Sequence, residues 1–139
     1  MAYGEDDASF QAAGGEDGLR HLVDDFYDIM DSLPLAAGIR AMHPADLAVS
    51  RDKLARFLCG WLGGPNRFNE KYGPITIPGA HRHLDIREAE RDAWLVCMKL
   101  AIDRQDWAAD FKDYLLRALV VPAERTRLVC ERLQHPPGA

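Results

Sequence analysis

The sequence predicts an all-α protein, and three observations carry that prediction. Apolar residues recur at intervals of three and four along nearly the whole chain; no useful stretch alternates apolar with polar residues; Gly and Pro punctuate the gaps between periodic segments. At 139 residues and 47% hydrophobic content, the chain has material for one core and is read as one domain over residues 1–139. Residues 1–13 are expected to form a short pre-helix or a flexible N-terminus, and residues 135–139 a tail. No repeat with a period of about 20–50 residues appears.

The elements follow in order. After Gly14-Gly15, the positions Leu19, Leu22, Val23, Phe26, Tyr27 and Met30 trace one helical face, closed by Pro34. A short helical piece is expected from Leu35 to Met42. His43-Pro44 then forces an extended joint, because the residue before proline is driven out of the helical region. The next helix starts near Asp46, with Ser50 the later alternative, and presents Leu47, Leu54, Phe57, Leu58 and Trp61 on one face until Gly63-Gly64-Pro65 ends it. Between Pro65 and Ala80 only a turn of helix over residues 67–72 is predicted. Asp85-x-x-Glu88 reads as a carboxylate capping box, followed by Ala89, Ala93, Trp94, Cys97, Met98, Ala101 and Ile102 at helical spacing. A last helix begins at Trp107 or Asp110 and carries Leu115, Leu116, Leu119, Ala123 and Leu128, with a kink expected at Pro122.

Charge and cysteine content exclude several function classes. The net charge is -5, and the first 32 residues hold nine acidic side chains against one base, Arg20. That surface argues against nucleic acid or anionic membrane as partner. The N-terminus has neither a basic start nor an apolar core, and no run of about 18 apolar residues occurs, so a soluble, cytoplasmic protein is expected. Cys59, Cys97 and Cys130 are odd in number, widely spaced and without a C-x-x-C pair. Buried, reduced thiols are expected rather than a disulfide framework or zinc site.

Polar groups on apolar faces are the candidates for chemistry. Tyr27, Ser50 and Trp94 lie on predicted buried stripes, and His43 lies at the chain joint; each taken alone reads as an ordinary core or capping residue. Together with the loop histidines His81 and His83 they suggest more. Trp94 stands eight residues beyond Ile86, a helical rise of about 12 Å, enough to pass the edge of a flat cofactor. For a haem, this gives one axial imidazole on one face and hydrogen-bond donors on the other. Against this stand a non-haem metal on His81-x-His83, for which no H-E-x-x-H or C-x-x-C completes a ligand set, and a cysteine nucleophile, which burial disfavours. From the residues alone, either histidine qualifies as the axial ligand.

The segments GGEDGLRHLVDDFYDIM, MHPADLAVSRDKLARFLCGWLGGP and EAERDAWLVCM, taken in this order, resemble the truncated haemoglobins, and specifically their group II. The resemblance runs from Gly14 to about Arg132. It implies a two-over-two helical sandwich around haem b (iron protoporphyrin IX), with a proximal histidine before the tryptophan helix and distal donors for a diatomic ligand. The group II frame there is H-x-x-F-x-I; His81, Leu84 and Ile86 fit it, with Leu in place of Phe, and His83 does not. His81 is thereby implied as the iron ligand. The resemblance further implies distal roles for Tyr27, His43, Ser50 and Trp94, and haem contacts for Leu54 and Phe57.

One region departs from the family. Where group II members show Gly-His-Pro followed by arginines, this chain reads YGPITIPGA, without a base. Lys53 and Arg82 are the local substitutes for partnering the haem propionates, and Phe68 and Tyr72 are candidates to close the haem edge. The implied function is reversible binding of dioxygen or another diatomic ligand at a pentacoordinate iron, in a monomer or homodimer. The alternative is a redox enzyme, a peroxidase or nitric oxide dioxygenase, served by a separate reductase. A haem-free helical interaction module is the third reading.

Overall fold

The computed structural model describes residues 2–74, 81 and 83–135 of the 139. Among these residues there is no strand, in accord with the predicted all-α class. The fold is organised by α2, Gly15–Ser32, which buries Leu19, Leu22, Val23, Phe26, Tyr27, Ile29 and Met30. Glu16 and Asp17 in its first turn complement the positive end of the helix dipole. Leu33 then takes an extended conformation, as the following Pro34 requires. A 3-10 turn, Pro34–Ala36, and the short α3, Ala37–Ala41, occupy the place expected for a helical piece.

Helix α4, Ala48–Trp61, begins between the two starts considered, with the Asp46 carboxylate accepting the Ala48 backbone N–H at 2.9 Å. Its buried face is Ala55, Leu58 and Cys59; Leu54 and Phe57 are half-buried, and Trp61 lies at the rim, stacked on Phe57. Helix α5, Arg67–Tyr72, has the predicted bounds and is capped by Asn66, whose side chain accepts the Asn69 N–H. A pre-helix does precede α2: α1, Ala8–Ala12. It docks on the glycine pair after α4, where the Phe10 N–H reaches the Leu62 carbonyl at 3.1 Å. Gly63 is required there twice over. Its φ is +94°, and a Cβ would lie 1.9 Å from the Asp6 carbonyl oxygen.

Two expectations fail in the second half. Helix α6, Glu88–Asp103, begins two residues later than the Asp85-x-x-Glu88 capping box requires. Glu90 instead accepts the Arg87 backbone N–H at 3.0 Å, while Asp85 pairs with Arg87 and His135. Helix α7, Ala109–Gln134, runs on through Pro122 and buries Phe111, Leu115, Leu119, Thr126 and Cys130. The predicted stripe through Ala123 and Leu128 is wrong: Leu128 is exposed. From Leu119 the buried line continues seven residues on, to Thr126, whose hydroxyl is satisfied by the Pro122 carbonyl at 2.8 Å.

Helix α2 packs against both α4 and α6, α6 packs against α7, and α5 leans on α4. Two helical pairs, α2 with α4 and α6 with α7, thus meet where α2 crosses α6. No described helix is long and apolar enough to cross a membrane. Of the residues expected in a flexible tail, 135–139, His135 is described and pairs with Asp85, and 136–139 lie outside the described part.

Candidate functional site

Where α2 meets α6, Phe26 is fully buried and holds two aromatic neighbours, Tyr27 at 5.0 Å and Trp94 at 5.2 Å between ring centroids, both edge to face. Tyr27 in turn meets His43 at 5.6 Å. The sequence candidates Tyr27, His43 and Trp94 are therefore gathered at one place by three different elements. Arg51, bound to Asp24 and Asp28 on α2, sets its guanidinium 5.8 Å from the Tyr27 ring centroid and brings the first turn of α4 to the same place. Ser50, Leu54 and Phe57 share one face of α4 by their spacing, and all three are half-buried.

Two donors of this group make no hydrogen bond to the described protein. Tyr27 is 5% exposed, yet neither its hydroxyl nor the Trp94 indole N–H makes a hydrogen bond among the described residues. Burial pushes the Tyr27 phenol up to about 12, with Arg51 opposing, so the group is a protonated donor at neutral pH. Burial also lowers the His43 imidazole, helped by the charges of Arg40 and His81 and opposed by its bond to the Ile39 carbonyl. That bond, 2.8 Å from Nδ1, assigns the proton of the neutral ring to Nδ1. His43 therefore offers Nε2 as an acceptor, and the donors of the group are Tyr27 and Trp94.

The histidine loop lies against the end of α7. His81 is half-buried, and its carbonyl accepts both the Leu84 N–H at 2.9 Å and the Cys130 thiol at 3.1 Å. His83 is exposed, whereas Leu84 and Ile86 are half-buried. Arg82 and the segment 75–80 lie outside the described residues. Burial pushes the thiols of Cys59, Cys97 and Cys130 up, so all three are protonated at neutral pH. No group of three or more His, Cys, Asp or Glu among the described residues is placed to hold a bare metal ion.

A carboxylate that sequence reasoning missed organises the α4–α5 side. Asp52 accepts from Arg20 at 2.7 Å, Arg56 at 3.0 Å, Lys71 at 2.8 Å and the Tyr72 hydroxyl at 2.6 Å. Burial is the largest single influence on it and raises it; the bonds from Lys71, Tyr72, Arg20 and Arg56 together outweigh burial and hold the carboxyl well below the usual range. Only the Asp52–Arg56 spacing of four was visible in the sequence. Tyr72 is thereby pinned beside the buried Phe68, at 5.0 Å between centroids. Arg51, Arg56, Arg67 and Lys71 all spend their charge on carboxylates. Among the described cations of α4 and α5, Lys53 alone has no carboxylate partner; its ammonium lies 5.3 Å from the Tyr72 ring centroid.

An all-helical fold that gathers Tyr27, His43 and Trp94 where α2 meets α6, with His81 ahead of the helix that carries Trp94, is that of a globin. The family model for bacterial-like globins matches residues 8–123, and the chain belongs to this family, in its group II truncated haemoglobin branch. It is 34% identical to a group 2 truncated hemoglobin of Bacillus subtilis over 109 residues, covering 78% of this chain and 80% of that one. The group II 2-on-2 hemoglobin of Agrobacterium tumefaciens superposes with a TM-score of 0.82 at 35% identity, over 91% of this chain and 95% of the other. A truncated oxygen-avid haemoglobin from Bacillus subtilis superposes at 0.78 with 33% identity, over 86% and 98%. The two-over-two arrangement is that of these neighbours, and haem b is the cofactor of the family.

Proposed function

We propose that this chain holds haem b through His81 and reversibly binds dioxygen or another diatomic ligand on the opposite face, beneath Tyr27 and Trp94. The observation that carries the reading is a pair of donors, the Tyr27 hydroxyl and the Trp94 indole N–H, both packed on Phe26, that make no hydrogen bond among the described residues and are left accessible to a ligand. Such donors suit a ligand that gains negative charge on binding. Haem iron supplies the coordination position for that ligand.

The chain's own residues do the rest. Tyr27 remains a phenol across the physiological range and donates from O–H; Trp94, also packed on Phe26, donates from its indole N–H. His43, neutral with Nδ1 tied to Ile39, leaves Nε2 as an acceptor beside the two donors. Ser50 supplies a small polar group in the first turn of α4. Leu54 and Phe57 exclude water from the distal face, and Leu84 and Ile86 from the side of His81. Lys53, free of carboxylates, is the propionate partner, shared with Arg82, while Phe68 and Tyr72 close the edge. One domain over residues 1–139 performs this role, and a redox cycle would draw on a separate reductase.

The test is an absorption spectrum of the full chain titrated with haem, oxidised and reduced, with and without carbon monoxide. A Soret band saturating at one haem per chain and shifting with carbon monoxide is expected. No Soret development ends the reading. Peroxide turnover no faster than that of free haem favours binding over the redox alternative.

A further inference from the structure

The thiol of Cys130, near the end of α7, bonds the His81 backbone carbonyl, and we propose that Cys130 is a positioning residue for His81. The inference rests on His81 as the iron ligand and deepens that reading. Cys130 is 0% exposed near the end of α7, 49 residues from His81 in sequence. Its S–H donates to the His81 carbonyl at 3.1 Å, and the Ile86 backbone amide faces the same sulfur closely enough to favour its thiolate. One sulfur atom therefore bonds the His81 end of the segment that leads into α6 and lies beside its Ile86 end.

The His81 carbonyl has two lone pairs, and Leu84 N–H and Cys130 S–H occupy them. An acceptor satisfied from within its own turn and from a neighbouring helix fixes the peptide plane of His81, and with it the direction in which the imidazole leaves the backbone. A second tie closes the same turn from outside: His135, just past α7, lies 3.0 Å from the Asp85 carboxylate, with Arg87 beside it. That pair is exposed and weak. The buried thiol is the component that water does not compete for. Orientation of a ligating histidine by partners that do not touch the metal is a general means of tuning the bond it makes.

The experiment is resonance Raman spectroscopy of the ferrous, ligand-free, haem-loaded full chain, reading the iron–histidine stretching band in Cys130→Ala, Cys130→Val and Cys130→Ser. Cys59→Ala, which opens a comparable hole beside another buried thiol, controls for a loosened fold. The band is expected to shift, broaden or split in Cys130→Ala, to return to its wild-type position in Cys130→Ser, and to stay unmoved in Cys59→Ala. Cys130→Val fills the volume without a donor and carries the same expectation if the alanine protein does not fold. An unmoved band in the alanine or valine protein overturns the proposal. Equal displacement in Cys59→Ala, or failure of serine to restore the band, overturns it as well. Absence of any iron–histidine band from the wild-type protein would instead remove His81 as ligand, a result separable from the others.

Discussion

Replacing Trp94 with Phe removes one N–H and keeps a ring against Phe26, where the indole now sits at 5.2 Å. The indole makes no hydrogen bond among the described residues, so the substitution leaves no protein acceptor unpaired. Whatever stabilisation is lost therefore comes from the ligand. A hydrogen bond to a group bearing partial negative charge is worth about 1.5–3 kcal/mol. At about 1.4 kcal/mol per factor of ten, oxygen should leave the Trp94→Phe protein roughly 10- to 150-fold faster. Association should change far less, since the loss falls on the bound state. Stopped-flow oxygen release from wild type and variant measures this directly. Tyr27→Phe should also accelerate release, and the two effects need not add, because both donors address one ligand. A change below twofold in Trp94→Phe would refute the reasoning and take the indole out of the distal site.

Three further outcomes are expected. Asp52→Asn leaves Arg20, Arg56 and Lys71 without their shared anion and should cost about 1.5–3 kcal/mol, lowering Tm by about 5–10 °C for a chain of this length. Because the folded Asp52 carboxyl is held below its unfolded value of about 3.9, its contribution is full above that pH and fades as pH falls further; thermal melts of the asparagine protein should therefore depend less on pH below about 4. Gly63→Ala forces a Cβ against the Asp6 carbonyl at a φ of +94° and should lower Tm by several degrees, for a cost of about 1–3 kcal/mol, with α1 losing amide protection in hydrogen exchange; an unchanged melt would show that α1 does not dock there. Lys53→Ala should hasten haem transfer to an apoglobin acceptor by no more than about fivefold, as an exposed ion pair worth up to about 1 kcal/mol implies; complete loss of haem retention would concentrate the anchoring on this one residue.

The cluster of Phe26, Tyr27 and His43 was legible because its signals are local. Phe26 and Tyr27 declare themselves by their place on the α2 stripe, and His43 by the proline after it. Asp52 was not legible: Arg20 lies 32 residues before it and Tyr72 20 after, and a carboxylate on a helix reads as solvated until the fold brings its partners together. The late start of α6 was hidden for a related reason, since Asp85 is drawn to Arg87 and His135 and leaves the capping role to Glu90. On α7 the apolar Ala123 and Leu128 suggested a core face that Thr126 and Cys130 occupy. The end of that helix packs on the histidine loop, where a hydroxyl and a thiol have backbone carbonyls to meet. Gly63-Gly64 announced a turn, but not that the turn is the seat of α1.

The account stands on His81 as the iron ligand, with exposed His83 beside it as the built-in control. Resonance Raman of the ferrous haem-loaded proteins reads the bond itself. An iron–histidine band present in wild type and His83→Ala but lost from His81→Ala is the expected result. A band that survives in His81→Ala and disappears in His83→Ala would contradict it.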